Sequence, residues 1–227
     1  MLCSEDFDRQ LEALSGDIVV AHNHWRMAMS LREALDEYPR VECESSTFWN
    51  LTYIAHESTA IQSLCRVYDQ KQNSLNLRNW LRTIKENISI FDRYAFKDRL
   101  KDNPYVESLA DSAEKPDEAM LDQEINLCSR NDPLVNKLIF LRHNHYAHKG
   151  KAIIIKQVKM TEEQGLNYDE VMQLLDRSIS ILNHYSYMFN ATSHTTKMLG
   201  QDDYKFVFKA VDEKLLEILE SRTKKRT

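Results

Sequence analysis

The chain has 227 residues, with 35 acids against 30 bases for a net charge of −5, and only four glycines and four prolines. That length supports one substantial core without requiring a second, so a single domain over 1–227 is expected. The scarcity of glycine excludes a glycine-rich dinucleotide fingerprint and a phosphate-cradling loop ending in Gly-Lys-Ser/Thr, and with them Rossmann and P-loop chemistry.

Helix-forming residues dominate, and the prolines at 39, 104, 116 and 133 and the glycines at 150, 165 and 200 fall where periodic segments stop. This pattern predicts an all-α protein, an antiparallel bundle of about six helices. Cys3, Cys43, Cys65 and Cys128 have no paired spacing, which argues for reduced thiols rather than a zinc ribbon or a disulfide framework. The start of the chain carries Glu5, Asp6 and Asp8 and lacks the apolar run of a signal peptide. No stretch approaches the roughly 18 apolar residues of a membrane span. A cytoplasmic protein with no membrane partner and no cofactor is expected.

The first helical region runs from about Glu5 to Glu37, with a possible interruption near Gly16, and Pro39 ends it. Ser46 or Thr47 is the expected N-cap of a second helix, in which Phe48, Leu51, Ala55, Ser58, Ile61, Cys65 and Tyr68 recur at threes and fours. After the polar turn Gln70 to Asn73, a third helix starts near Ser74 or Asn76 and carries Leu77, Trp80, Leu81 and Ile84. The charged stretch of about 90–116 contains Pro104 and Pro116 and reads as a long loop or variable insertion. A helix from near Asp117 stops at Asn131-Asp132-Pro133, and another runs from Leu134 toward Gly150. Two more are expected, one over about Tyr168 to Asn190 capped by Asn167 and one over about Asp203 to Ser221.

One segment departs from the acidic background. From Pro133 through Met160 there is no Asp or Glu, while Lys137, Arg142, Lys149, Lys151, Lys156 and Lys159 stand beside His143, His145 and His148. A local charge of about +6 in such a chain points to an anionic partner. On a regular helix Leu134, Leu138, Leu141, His145 and His148 share one stripe and Val135, Ile139, Arg142 and Tyr146 the next, so the histidines extend a buried face. Arg142 and His148 are then separated by about 9 Å of rise and about 120° of rotation. They can act on one atom only if the helix ends between them, which Gly150 makes credible, or if a two-fold dimer brings two copies together.

The chemistry of the pair is coherent. An arginine fork holds phosphate bidentately and offsets charge in a phosphoryl-transfer transition state, and a histidine titrating near neutrality moves protons without a metal. Asn144, one turn before His148, is placed to hold its imidazole in one tautomer. RNA, with its built-in 2′-hydroxyl nucleophile, suits such a site.

An Arg followed by a polar residue and, four to six residues on, by a His at a helix end resembles the motif of the HEPN superfamily; here it is Arg142, His143 and His148. Phe48, Trp49, Leu51, Thr52, Ala55 and His56, then Leu64, Cys65, Arg66, Tyr68 and Asp69, then Ser74 to Leu77, resemble its abortive-infection U-type (AbiU-like) branch. Leu166, Asn167 and Tyr168 and the helix through Asn183, Tyr185 and Phe189 fit the C-terminal part, so the likeness spans roughly 45–190. The resemblance implies a HEPN-like fold and a homodimer with both motifs facing a shared cleft. It also implies metal-independent RNA cleavage to a 2′,3′-cyclic phosphate and a 5′-hydroxyl. A role as a toxin or anti-phage effector, sometimes beside an antitoxin or nucleotidyltransferase, is implied as well. In that picture Arg142 and His148 are catalytic, His143 and Asn144 support them, and Lys149, Lys151 and Tyr146 contact RNA phosphate. Toxins paired with a nucleotidyltransferase commonly carry a Tyr two positions after the His; Gly150 stands there, so modification of that tyrosine does not carry over.

Plainer roles compete. The chain spells His-Asn-His at 22–24 and 143–145, yet nucleases named for that triplet need it dispersed over a strand, strand, helix metal unit. His145 and His148 lack a nearby Cys or carboxylate to complete a metal site, so none is expected. Arg66 and Asp69, one turn apart, read as an intrahelical ion pair, with lining of the cleft as the alternative. His56 reads as a satisfied histidine inside the bundle. For the whole chain the rival function is a non-catalytic module that binds a nucleotide, RNA or a protein.

Overall fold

A leading run of helix formers with buried apolar residues every three or four positions, Phe7, Leu11, Leu14 and Ile18, drives the first helix of the chain. The computed structural model describes residues 2–111, 114–146 and 165–224, and of His145 and Tyr146 the backbone alone. Among these residues the chain is all-α, with no strand, and no helix is long and apolar enough to cross a membrane.

Helix α1 covers Ser4–Glu37 and runs through Gly16 without a break. A glycine in a helix interior costs about 1 kcal/mol against alanine, too little to interrupt a helix anchored by buried side chains on both sides of it. A Cβ at Gly16 meets nothing within 4 Å. Gly16→Ala is therefore expected to stabilise the protein by about 0.5–1 kcal/mol in a denaturant titration.

The chain divides into two compact units. The first combines Met1–Val19 with Gln62–Thr195. Its aromatic centre is Phe7, stacked on Trp80 at 5.4 Å between ring centroids and tilted on Phe189 at 4.5 Å, with Phe91 edge-on at 5.6 Å. The helices around it start where side-chain caps dictate. Asn76 opens α3 (Leu77–Glu86), accepting from the Asn79 N–H. Asp117 opens α6 (Glu118–Leu127), accepting from the Met120 N–H. Asp132 with Pro133 opens α7 (Pro133–Leu141). Asn167 and Glu170 form a reciprocal capping box on α8 (Tyr168–Asn190).

The stretch expected as a loop or insertion at 90–116 instead carries a 3₁₀ turn (Ile88–Phe91) and two short helices, α4 (Arg93–Arg99) and α5 (Val106–Asp111). Segments of fewer than two turns show no periodicity, yet these bury Ile90, Phe91, Phe96 and Ala110. Arg99 adds an anchor, donating to the Phe189 carbonyl at 3.0 Å and lying 4.0 Å over that ring.

The second unit combines Val20–Ile61 with Thr196–Thr227, and so takes the later part of α1, most of α2 (Pro39–Val67) and α9 (Asp203–Lys224). Its core is Leu31, Ala34, Leu35, Val41, Trp49 and Phe208, with Trp49 and Phe208 stacked at 4.3 Å. The span Pro39–Val67 is two helices joined at a kink at Ser45 (φ −140°, ψ 29°), so one helix starts beside Ser46 and Thr47 as expected and a short helical turn precedes it. The preceding turn stays helical because Val41 is fully buried and Arg40 forks onto Asp212 at 2.9 and 2.6 Å.

Candidate functional site

The cap that starts α7 also sets the phase of the motif. Asp132 Oδ1 accepts from the N–H groups of Leu134 and Val135, and Pro133 supplies the first helical φ. The buried positions that follow are Val135, Leu138, Ile139 and Leu141, and Arg142 comes next on the row of Val135 and Ile139. Arg142 thus continues that row, while the side chains of His145 and His148 lie outside the described residues. The α-helix ends at Leu141, and Arg142–Tyr146 form a single π turn. Such turns carry wider i→i+5 bonding and recur at functional sites, so the 120° offset of an ideal α-helix does not extend past Leu141.

A charged group on a buried stripe needs a partner, and Arg142 has one. Its Nη1 donates to Asp69 Oδ1 at 2.7 Å, with the two side chains 28% and 13% exposed. Burial would push the Asp69 carboxyl up. The hydrogen bond and charge of Arg142, the N–H of Gln70 and the hydroxyl of Ser74 outweigh it and hold that carboxyl below its ordinary value. The expected Arg66–Asp69 ion pair is therefore not formed. Helix α2 stops at Val67, so Asp69 is beyond the register where an i, i+3 pair can close, and Arg66 instead grips Asp17 at 2.7 and 2.9 Å.

Arg142, Asp69 and His143 line a cleft of about 300 Å³ whose remaining wall is Gln70, Lys71, Arg130 and Ile139. The segment 133–160 is free of acids in sequence but not in space: Lys137 pairs with Glu170 at 2.6 Å as Arg142 does with Asp69. Lys71 and Arg130, both exposed, have no carboxylate partner among the described residues. With Asp69 compensated by Arg142, these two give the cleft its net positive charge. Neither stood out in the sequence, because each sits alone in a polar turn.

The other expected site residues divide. His143 lies in the cleft, one residue from Arg142. Asn144 donates its amide to the Phe140 carbonyl at 2.9 Å, a bond to its own helix. His148, Lys149 and Lys151 lie outside the described residues, as does the side chain of Tyr146. The buried Cys65 thiol borders the site; burial pushes its pKa up to about 12, against a weaker opposing pull from Arg142, so it is no nucleophile at neutral pH. His56 is half-buried with its Nδ1 3.1 Å from His24 Nδ1, and burial together with the charge of His24 lowers its pKa. Among the described residues no three His, Cys, Asp or Glu side chains group as metal ligands. A larger cleft of about 430 Å³ elsewhere in the first unit is walled by Phe96, Leu109, Tyr187 and Met188 around Glu114 and His184. Among the described residues that line it there is no permanent cation for a phosphate.

A family model described as AbiU2, of the HEPN group, matches residues 4–207. No curated protein matches the chain, and no solved structure does.

Proposed function

Because the chain belongs to the AbiU2 family of HEPN domains, we propose that it is a metal-independent endoribonuclease that works as a homodimer in the cytoplasm. The observation that carries this reading is Arg142, held by Asp69 at the wall of a cationic cleft beside His143. With one Nη committed to Asp69, the guanidinium keeps other N–H groups to offer a phosphate, and its plane is fixed before substrate arrives. In the reaction the 2′-oxygen attacks the adjacent phosphorus and the P–O5′ bond breaks, which gives a 2′,3′-cyclic phosphate and a 5′-hydroxyl. His148 moves the proton of the 2′-hydroxyl or of the leaving oxygen, and Arg142 stabilises the phosphorane. His143 and Asn144 orient them, while Tyr146, Lys149 and Lys151 hold neighbouring phosphate.

The cellular role that follows is a toxin or anti-phage effector, restrained by an antitoxin or a nucleotidyltransferase partner. The expected result is cleavage of end-labelled RNA in excess EDTA on a denaturing gel, lost in His148→Ala. Binding without cleavage in the wild type sinks the enzyme. A dimer by mass in solution is expected, and a clean monomer removes the shared cleft. One feature favours a second reading, a non-catalytic module binding RNA, a nucleotide or a protein: Asn144 commits its amide to the Phe140 carbonyl of its own helix and Arg142 commits Nη1 to Asp69, as structural residues do. In that case RNA binds equally well to His148→Ala and remains intact.

A further inference from the structure

Two cations with no carboxylate partner among the described residues line one small cleft and call for an anion, and hydrogen bonds fix the turns that carry them. Lys71 lies in the turn after α2, where its carbonyl accepts from the Asn79 amide at 2.8 Å, the Asn76 amide at 3.2 Å and the Ser74 N–H at 3.4 Å. Arg130 lies in the turn between α6 and α7, which is closed by Ser129 N–H to Asn126 O at 3.0 Å and Asp132 N–H to Ser129 O at 3.1 Å. Gln70 ties one turn to the other: its amide donates to the Tyr68 carbonyl at 2.8 Å and the Cys128 carbonyl at 3.0 Å, while its oxygen accepts from Arg78 at 3.2 Å. A glutamine with both ends committed is a rigid brace. The charges of Lys71 and Arg130 are thereby presented together from two fixed turns.

We propose that Lys71 and Arg130 form a second phosphate subsite, which holds an RNA phosphate next to the one presented to Arg142. The proposal rests on the ribonuclease reading for the identity of the strand. Arg142 shares its charge with Asp69, so it supplies orientation at the reacting phosphate more than net attraction. Lys71 and Arg130 have no carboxylate partner among the described residues and supply attraction. Phosphates of the flanking backbone carry no base information, so the subsite sets where along the strand the reacting phosphate stops rather than which base is read. A substrate must then extend at least one phosphate beyond the scissile one to be gripped fully.

The probe is a fluorescein-labelled RNA carrying 2′-O-methyl groups throughout, which cannot be cleaved, titrated in EDTA at several salt concentrations. For Lys71→Gln/Arg130→Gln the log–log salt slope is expected to fall by about 1.4, at about 0.7 per lost contact to a single strand, with affinity down about tenfold. Both side chains are exposed, so the fold is not at stake. Lys101→Gln removes an equally exposed charge that does not line the cleft and is expected to leave the slope near the wild-type value. An unmodified trinucleotide with two phosphates is expected to be cleaved faster than a dinucleotide with one, and the double variant is expected to lose that preference. Wild-type cleavage together with an unchanged slope in the double variant overturns the subsite and leaves the ribonuclease standing. No cleavage by the wild type, with a slope that still depends on Lys71 and Arg130, keeps the subsite and removes the ribonuclease. A slope equally reduced by Lys101→Gln shows general attraction only and overturns the subsite.

Discussion

Arg142→Ala is expected to slow RNA cleavage by about a hundred- to a thousandfold, the loss found when one donor to a developing oxyanion is removed. Its cause is specific to this geometry. The guanidinium has to satisfy Asp69 and still present N–H groups to phosphate, which a planar fork can do and a point charge cannot. Arg142→Lys is for that reason expected to recover little: the ammonium either pairs with Asp69 or meets the phosphate. Single-turnover rates with RNA in excess chelator separate the two variants from wild type, and full activity in Arg142→Lys would show that charge alone is needed.

Asp69→Ala has a different signature, since it touches stability and turnover in separate ways. It leaves the largely buried Arg142 charge without its carboxylate, at a cost of about 1–3 kcal/mol, between the values for exposed and fully buried pairs. The sign of the pH dependence follows from the lowered carboxyl. Asp69 binds its proton more weakly folded than unfolded, so its contribution is present at neutral pH, above the ordinary carboxylate value. It is lost as pH falls through the depressed folded value. Thermal melts of wild type and Asp69→Ala are thus expected to differ most near pH 7 and to converge in acid. In turnover, RNA is expected to bind at least as tightly, because a negative charge has left the cleft, while kcat falls about ten- to a hundredfold as the guanidinium loses its fixed plane. A fall in affinity with kcat unchanged would contradict a positioning role.

Most of the fold was legible in the sequence because caps are local. Asn76, Asp117, Asp132-Pro133 and Asn167 each act on N–H groups two or three residues ahead, and each begins a helix where that chemistry places it. The short helices in 90–116 were not legible, since only contacts distant in sequence, such as Arg99 with Phe189, reveal which of their residues are inside. The site shows the same division. The clustering of Arg142 with its histidines is a sequence property, and Arg142 and His143 do share one cleft. The partner of Arg142 is 73 residues away, and the spacing of Asp69 points to Arg66 instead because spacing alone does not show that α2 ends at Val67. Of the acid-free run, Lys137 is paired by Glu170 from a later helix and Arg142 by Asp69, which spacing does not show, while Lys149, Lys151, Lys156 and Lys159 lie outside the described residues. The two cleft cations without a carboxylate partner among the described residues, Lys71 and Arg130, come from two turns that only the folded chain brings to one cleft.

The ends of the cleaved RNA test the central claim most directly. An RNA digested by wild-type protein in excess EDTA and examined by mass spectrometry is expected to carry 2′,3′-cyclic phosphate and 5′-hydroxyl ends, with no such products from His148→Ala. Fragments bearing 3′-hydroxyl and 5′-phosphate ends, or the same products from His148→Ala, would contradict it.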